Sequence, residues 1–403
     1  MAIDSEINRL ARGLNKTLIA IRRDLHQHPE LGFQEHRTSR KIVEILKAAG
    51  LDRVQGGVAG TGVVGVLQGG QGKARAVALR ADMDALPITE ANRVPYRSQT
   101  SGIMHACGHD GHVALCLGAA MILKRIQARI SGSVKFIFQP AEELLTLGGA
   151  QAMIRAGALN DPDVEAIFGM HISPRVPYGV VGASAGPIMA AADIFTITVH
   201  GKGGHGAQPE KCADPILIAH QIYGGIQGIE RNLAGSDVRV ISVCSLHAGT
   251  AFNVIPGTAE IMGTVRTYDA RVQEKIIRRL RAVVKGVAGT HGVRCDLVYR
   301  KSVPALCNDA GLVAIAHAAG RALKSPVGNN VLTMGAEDFA LYMQKVPGAF
   351  MELGVQKHPA QPAYHNNRFD FDDRILSTGA AMMARCALLF LEKGSRGYLD
   401  QMS

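Results

Sequence analysis

The sequence contains no tryptophan, and aromatic residues make up only 5% of its 403 residues. This scarcity argues against a stacking platform for single-stranded nucleic acid. The seven cysteines are an odd number and lie far apart, so they indicate no disulfide framework and favour a reducing, cytoplasmic location. The first residues lack the apolar core of a signal peptide, and the most apolar stretch, 113–123, is too short to span a bilayer. No membrane partner is therefore expected.

The formal net charge is +10, but the basic residues are scattered. The densest basic run, 275–281, places apolar residues at helical spacing, which predicts the solvated face of an amphipathic helix. The charge therefore favours attraction of a small acidic substrate, and no nucleic-acid partner is expected. With 47% hydrophobic and 19% charged residues, the composition is typical of a well-packed soluble enzyme.

Short β-branched runs alternate with helical patterns in the first half of the chain. Strands are predicted at 63–67, 76–79, 134–138 and 164–168, and helices at 7–25, 39–49, 111–128 and 147–157. Because strands and helices alternate, the sequence predicts the α/β class, with a mixed sheet that carries helices on both faces.

The order of predicted elements changes after Gly186. Strands at 191–199, 238–246, 258–266 and 293–299 are interleaved with helices at 214–232 and 271–288. This β-α-β-β-α-β order is that of a ferredoxin-like unit. We therefore predict a main catalytic domain formed by residues 1–186 and 303–403, with a ferredoxin-like satellite domain inserted at 187–302. Further helices at 309–323, 336–345 and 374–393 and a strand at 349–353 complete the main domain.

Residues 105–112 combine three histidines, one cysteine and one aspartate. Such nitrogen, sulfur and oxygen donors bind a borderline-soft divalent metal. Cys107 and His109 are separated by one glycine, so both side chains can reach one site from an irregular turn. A lone cysteine is usually a buried inert thiol, but the flanking donors favour a metal ligand at Cys107. Cys116 lies in an apolar stretch and is assigned to the core.

Glu142 and Glu143 follow a predicted strand and Pro140. Because adjacent residues of an extended segment point in opposite directions, one carboxylate can bind a metal while the other faces a water molecule. Metal-assisted hydrolysis needs this division between a Lewis acid and a proton carrier. The alternative is a helix N-terminus, where paired glutamates are common.

Acidic or imidazole residues follow three of the predicted strands: Asp82 with Asp84, the Glu142–Glu143 pair, and His171. In open α/β sheets, binding sites lie beyond the carboxyl ends of the strands, so these side chains are predicted to converge. His365 lies in a polar loop much later in the chain, and a distant residue of this kind often completes a metal site.

Seven segments, taken in order, resemble the M20 metallopeptidase clan in its amidohydrolase subfamily D, and they span nearly the whole chain. The segments are 23–33, 80–87, 105–112, 139–143, 201–206, 253–256 and 335–339. The resemblance implies a metal-dependent hydrolase that cleaves N-acyl amino acids to a carboxylic acid and a free amino acid. The group includes hippurate hydrolases, indole-acetyl-amino-acid hydrolases and N-acyl-amino-acid aminoacylases.

The resemblance also implies a centre of two divalent metal ions, with Mn²⁺ or Zn²⁺ expected and Co²⁺ or Ni²⁺ as alternatives. Glu142 would act as general base and acid. Asp82 and Asp84 would orient ligands without binding metal. The metal ligands would be Cys107, His109, Glu143, His171 and His365.

Three residues of the satellite domain gain roles from the same resemblance. His205 would stabilise the oxyanion, and the partner subunit of a dimer often donates this histidine. Asn253 and Arg266 would contact the substrate, with Arg266 placed for its carboxylate. A homodimer or homotetramer formed through the satellite domain is expected, and closure of this domain over the main one would complete the site.

The sequence departs from the family pattern at two places. Residues 144–147 read Leu-Leu-Thr-Leu where a glycine run is usual, and Asn366 and Asn367 follow His365 in place of a proline-containing motif. The first difference leaves the acyl preference open. The rival activity is a deacylase of N-acetyl- or N-succinyl-diaminopimelate type, and the rival from another class is a non-enzymatic binding module.

Overall fold

The computed structural model describes residues 3–72, 75–144 and 148–393. The chain forms two compact units. The first comprises the residues up to Ile188, Cys307–Val331 and the residues from Glu337 onwards. The second comprises Met189–Leu306 and Leu332–Ala336, so a short segment beyond the predicted satellite boundary belongs to it.

The strands are defined in chain order within these described ranges. They are β1 (Arg53–Val58), β2 (Gly62–Gln68), β3 (Ala76–Asp82), β4 (Ser133–Gln139), β5 (Ala166–Pro177), β6 (Val181–Gly182), β7 (Gly186–Met189), β8 (Ala191–His200), β9 (Gly204–His205), β10 (Arg239–Ala248), β11 (Val254–Ile255), β12 (Thr258–Thr267), β13 (Arg294–Val303), β14 (Leu306–Asn308), β15 (Val327–Gly328) and β16 (Gly348–Gln356).

The helices follow the same order, with short 3₁₀ turns at Gln127–Arg129, Pro209–Lys211 and Asp373–Ile375. They are α1 (Ile3–Gln27), α2 (His36–Ala48), α3 (His109–Arg125), α4 (Gly149–Arg155), α5 (Pro215–Arg231), α6 (Ala270–His291), α7 (Ala310–Leu323), α8 (Phe339–Met343) and α9 (Leu376–Lys393).

The first unit is built on an eight-stranded mixed sheet with the order β1-β2-β4-β3-β5-β16-β6-β15. The central strands β4, β3, β5 and β16 run parallel, while β1 and β2 pair antiparallel at one edge. Every residue of β3 is buried, as expected for a parallel strand covered on both faces. This arrangement confirms the predicted α/β class and mixed sheet.

Helices cover both faces of this sheet. A Cβ atom on Gly169 of β5 would lie 3.0 Å from the Phe339 ring of α8. The next residue, Met170, instead approaches Gly379 of α9. Because successive strand residues point to opposite faces, α8 and α9 lie on opposite sides of the sheet. The larger core cluster joins α1, α3, α7 and α9 to one face.

Some expected element bounds are wrong. Strand β5 does not end at residue 168 but continues to Pro177, so His171 lies inside the strand. Strand β1 was not expected, because its Arg-Val-Gln-Gly-Gly-Val sequence has two glycines and little apolar alternation. Helix α8 is shorter than the predicted 336–345.

The second unit contains a four-stranded antiparallel sheet with the order β10-β12-β8-β13. Numbered within the unit, this is the 2-3-1-4 order of the predicted ferredoxin-like fold. Alternate residues of β8, Phe195, Ile197 and Val199, are buried beneath α5 and α6. Asp214 and Asp269 cap these two helices, each accepting a hydrogen bond from a backbone N–H two residues on.

One helical segment of the described chain, Asp373–Lys393, is long and apolar enough to cross a bilayer by length and composition. In the structure 83% of its most apolar window is buried inside the protein. It packs against α1, α3 and α7, which is the environment of a core helix.

Candidate metal centre

The cysteine–histidine turn is fixed by a glycine in the left-handed conformation. Gly108 has φ +96° and immediately precedes α3, so His109 is the first helical residue. A Cβ atom at Gly108 would lie 3.1 Å from Ile172 Cβ, so this turn packs directly on β5. The close packing brings Cys107 Sγ to 3.5 Å from His171 Nε2.

The five sequence-predicted ligands are brought together. Donor atoms of Cys107, His109 and His171 lie within 4.8 Å of one another, and those of Cys107, Glu143 and His365 form a second such group. Cys107 belongs to both groups. Two adjacent groups that share a donor fit two ions bound side by side.

The histidine tautomers suit metal binding. His171 Nδ1 lies 2.7 Å from the carbonyl oxygen of Ile172, and His109 Nδ1 lies 2.9 Å from the carbonyl oxygen of Asp84. A carbonyl only accepts, so both Nδ1 atoms carry a proton, and the Nε2 atom of each neutral ring presents a lone pair. Despite burial, the carboxylate of Asp82 raises the pKa of His109 well above its usual value, so metal binding at His109 would release a proton. Burial holds the pKa of His171 well below its usual value, which keeps the ring neutral.

One of the donor atoms, His109 Nε2, is buried without a hydrogen-bond partner among the described residues, and it lies 4.0 Å from Glu143 Oε1. Buried polar atoms are rarely left unpaired, and a divalent cation would satisfy this one. Burial raises the pKa of the Cys107 thiol, so metal binding at Cys107 would release a proton. The donor set therefore fits a divalent metal centre.

Asp84 holds two of the ligands in place. Its Oδ1 lies 3.2 Å from His109 Nδ1, and its Oδ2 accepts a hydrogen bond of 3.0 Å from the backbone N–H of Glu143. The Asp84 carboxylate thus orients both the His109 imidazole at the start of α3 and the backbone of Glu143 after β4. Such outer contacts fix the ring orientation of a ligating histidine.

His365 reaches the centre from a loop with unusual backbone geometry. Its φ is +61°, and its N–H donates to the carbonyl oxygen of Ala106, beside the cysteine turn. Its Nε2 lies 3.1 Å from Glu143 Oε1, while 53% of the side chain stays exposed. A non-glycine residue held at positive φ is rare and marks a position where the surrounding structure imposes the conformation.

Glu142 lies on the acidic side of the centre. It is buried, and its carboxylate lies within 4.8 Å of those of Glu337 and Asp338. Burial and the carboxylates of Glu337, Asp338 and Glu143 together raise the pKa of Glu142 well above its usual value. A carboxyl with a raised pKa is suited to carrying a proton near neutral pH.

The turn before Glu142 is held by a carboxylate from α2's N-terminal side. Ala141 has φ +52°, and its N–H donates to Glu35 Oε1 over 2.9 Å. Glu35 is fully buried and also accepts a hydrogen bond from Thr61. The two glutamates after Pro140 are therefore placed on a constrained bend, and Glu35 is a supporting residue that sequence reasoning missed.

Arg80 neutralises the acidic residues behind Glu142. This buried guanidinium donates to Asp82 Oδ2 at 2.6 Å and to Asp338 Oδ1 at 2.8 Å, and lies 3.1 Å from Glu337 Oε1. Its Nε also donates to Gln139 at the end of β4. The motifs at 80–87, 139–143 and 335–339 thus meet in one buried network. In the sequence, the feature that could have indicated this network was an acidic residue directly after a predicted strand.

The remaining donors of 105–112 point elsewhere. His112 uses both nitrogens, donating to Asp82 and accepting from the N–H of Ile172. Asp110 accepts hydrogen bonds from Arg22 and His26 of α1. His26 of the 23–33 segment and the neighbouring Arg22 therefore support the cysteine–histidine turn through Asp110. His105 is buried with no hydrogen-bond partner among the described residues, and burial lowers its pKa to about 4.

The predicted substrate-contact residues lie in the second unit. His205 pairs with Val254 between β9 and β11, which places Asn253 beside it. Both side chains are exposed. Arg266 lies on β12, half-buried, with its guanidinium close to Thr264 Oγ1. Residues 144–147 are the segment where the sequence departs from the family's glycine run. Leu144 has an exposed side chain, and residues 145–147 lie outside the described residues.

Three short motifs have the spacing of a catalytic or phosphate-binding motif, but their places in the fold do not suit those roles. Residues 182–186 have the spacing of a nucleophile elbow, but they connect two strands, and Ser184 Oγ accepts a hydrogen bond from the N–H of Asn330. Residues 60–65 and 201–206 have G-x-G-x-x-G spacing, yet each leads into a strand. Neither offers the helix N-terminus that binds a pyrophosphate.

The fold and the converging donors define a metal-dependent hydrolase. Residues 78–389 match peptidase family M20/M25/M40, and the chain belongs to this family. It is 40% identical over 380 residues to thermostable carboxypeptidase 2 of Saccharolobus solfataricus, covering 93% of this chain and 96% of that protein. It is 43% identical over 300 residues to an N-acyl-L-amino acid amidohydrolase of Geobacillus stearothermophilus, covering 73% and 80%.

A solved structure agrees. The YXEP protein of Bacillus subtilis, described as a dinuclear metal binding peptidase from the M20 family, matches with a TM-score of 0.84 and 37% identity. The match covers 94% of this chain and 99% of that one. The expected M20 membership is confirmed, and the chain is a hydrolase of amide bonds.

Proposed function

We propose that the protein hydrolyses N-acyl amino acids to a carboxylic acid and a free amino acid. The observation that carries the proposal is the division between two adjacent glutamates. Glu143 lies within 4.8 Å of Cys107 and His365, Glu142 lies within 4.8 Å of Glu337 and Asp338, and both glutamates lie that close to His109. One carboxylate is thereby available to bind metal and the other to move a proton.

Cys107, His109, Glu143, His171 and His365 would hold two divalent ions, of which Mn²⁺ or Zn²⁺ fits the mixed donor set best, with Co²⁺ or Ni²⁺ as alternatives. When bound, the ions polarise the amide carbonyl and acidify an attacking water molecule. Glu142 takes a proton from that water and returns it to the leaving amine nitrogen.

The second unit supplies the groups that recognise the substrate. His205 donates a hydrogen bond to the developing oxyanion, and Asn253 lies beside it on the same pair of short strands. Arg266 binds the carboxylate of the amino acid, in line with the net charge of +10. The N-acyl-L-amino acid amidohydrolase among the relatives supports this substrate class.

Hydrolysis of a substrate panel tests the proposal. The metal-loaded chain is incubated with benzoyl, indole-acetyl, long-chain acyl and acetyl amino acids and with N-acetyl- and N-succinyl-diaminopimelate, and release of free amine is measured. We expect turnover of the N-acyl amino acids. Turnover of the diaminopimelate derivatives alone would favour the rival deacylase, and no turnover of any compound with both ions bound would contradict the proposal.

We also propose a homodimer, or a tetramer built from such dimers, formed through the second unit. Strand β10 is an edge strand of its sheet, and edges of this kind readily pair with another chain. Helix α5, which packs on β10, exposes Ile216 and Leu217, and β10 itself exposes Leu246. Exposed apolar side chains beside an unpaired edge favour self-association.

We also propose a cytoplasmic location, which accords with the free cysteines.

Mixed dimers test whether His205 serves the partner's site. Glu142→Gln and His205→Ala chains carrying different tags are co-expressed, and the heterodimer is purified through both tags. If His205 crosses to the partner, one site in each heterodimer is intact, and about half of the wild-type activity returns. Activity no higher than that of the two separate variants would show that His205 acts on its own chain or not at all.

A further inference from the structure

Phe252 is the most exposed large apolar side chain in the described part of the molecule, at 102% relative exposure. It lies in the connection between β10 and β11, directly before Asn253. Isolated exposed apolar residues are common. A fully exposed phenylalanine next to a candidate substrate-contact residue, however, leaves its whole ring accessible to a ligand.

The backbone directly after Phe252 is held by contacts with β9. Gly206 donates its N–H to the carbonyl oxygen of Asn253 over 2.9 Å, and Val254 is in register with His205. A Cβ atom on Gly206 would lie 2.9 Å from that same carbonyl oxygen, so the close approach requires glycine. His205, Asn253 and Phe252 are thus carried by the β9–β11 pair and the turn that leads into it.

The residues next to Phe252 in the chain carry no charge. Val254, two residues after Phe252, is 53% exposed. Residues 249–251 are Gly-Thr-Ala, which carry no charge. An amino-acid carboxylate would find no cation among these residues, whereas an apolar acyl group would match them.

We propose that Phe252 determines acyl specificity by packing against the apolar part of a bulky acyl group, such as an aromatic or long aliphatic one. The inference rests on the proposed function, in which His205 binds the oxygen of the acyl carbonyl. Phe252 lies in the turn directly before β11, two residues from Val254, the register partner of His205, so we expect its ring to contact the chain attached to that carbonyl. The favoured substrate class is therefore N-acyl amino acids with large apolar acyl groups.

A contact of this kind acts alike on the bound substrate and on the transition state. Its loss should therefore raise KM and leave kcat nearly unchanged. The acetyl group is too small to reach an aromatic side chain that packs on bulky acyl groups. Substrates that differ only in acyl size should thus respond differently to replacement of Phe252.

The test compares benzoylglycine with acetylglycine in the metal-loaded full chain. For Phe252→Ala, kcat/KM on benzoylglycine should fall roughly 10- to 100-fold through KM, as expected for loss of a buried aromatic contact. Acetylglycine hydrolysis should change by less than about twofold, and Phe252→Leu should restore most of the benzoylglycine activity. Val298→Ala is the matched control, because Val298 is 51% exposed on the opposite edge strand, β13.

Equal losses on both substrates, or no change on benzoylglycine, would overturn the proposal. Size-exclusion chromatography accompanies the kinetics: if Phe252→Ala changes the oligomeric state and lowers both activities together, Phe252 belongs to a subunit contact and the specificity role is wrong. Failure of the metal-loaded wild-type chain to hydrolyse these two substrates and every other N-acyl amino acid of the panel would instead contradict the proposed function, so the two failures are distinguishable.

Discussion

Replacing Glu142 with glutamine is expected to lower kcat by roughly 10²- to 10⁴-fold, the range over which a positioned general acid–base contributes. The amide has the shape of the carboxylate but cannot accept the proton of the attacking water. The measurement is steady-state hydrolysis of benzoylglycine, with bound metal determined on the same sample.

The metal content of the variant distinguishes a proton-carrying role of Glu142 from a metal-binding role. Glu142, His109 and Glu143 also lie within 4.8 Å of one another, so distance alone would allow either glutamate to bind metal. If Glu142 carries the proton, the variant keeps both ions while kcat falls. Glu44→Gln, an exposed change of the same chemistry on α2, is the control and should leave both quantities unchanged. Near-normal kcat in Glu142→Gln with both ions bound would contradict the assigned mechanism.

Replacing Arg80 with methionine is expected to lower the free energy of unfolding by ~3–5 kcal/mol, since it strands a buried cluster of carboxylates without their counterion. Asp82, Glu337 and Asp338 all lie within 3.1 Å of the guanidinium. Urea unfolding of the metal-free chain, followed by circular dichroism, measures the change.

Arg53→Met is the matched control for this experiment. Arg53 pairs with Asp161 at 2.6 Å, but the two side chains are 45% and 83% exposed. An exposed pair contributes at most ~1 kcal/mol. The Arg80→Met loss should also shrink as pH falls, because protonation neutralises the stranded carboxylates. Equal losses for the two variants, or a pH-independent loss at Arg80, would show that electrostatic compensation is not the main role of Arg80.

Regular elements were predictable where the pattern of buried residues was strong. Strands β8, β10, β12 and β13 alternate or run apolar, and their order around two amphipathic helices identified the ferredoxin-like unit. Strand β1 carries adjacent glycines and polar residues, so pairing with β2, rather than its own sequence, makes it a strand. The end of β5 was misplaced because proline and serine after His171 resemble a strand terminus, although β16 continues to pair with this region.

The metal-ligating donors could be inferred from sequence because few other roles need cysteine, histidine and glutamate so close together. The supporting residues were harder. Arg80, Glu35 and Asp338 are polar residues whose function depends on burial and, in all three cases, on partners more than 50 residues away. Local sequence does not reveal such long-range partners. The proposed role of Phe252 likewise depends on its exposure and on its place in the turn before β11, the strand that pairs with His205.

Metal titration of the chelator-treated chain tests the central claim most directly. Bound metal per chain and benzoylglycine hydrolysis are measured together as Mn²⁺ or Zn²⁺ is added. The account predicts no turnover without metal, with activity that appears and saturates as two ions bind per chain, and weaker binding in Cys107→Ser and His171→Ala. Full turnover by the metal-free chain, or saturation of both quantities at a single ion, would contradict a two-metal centre built from these residues.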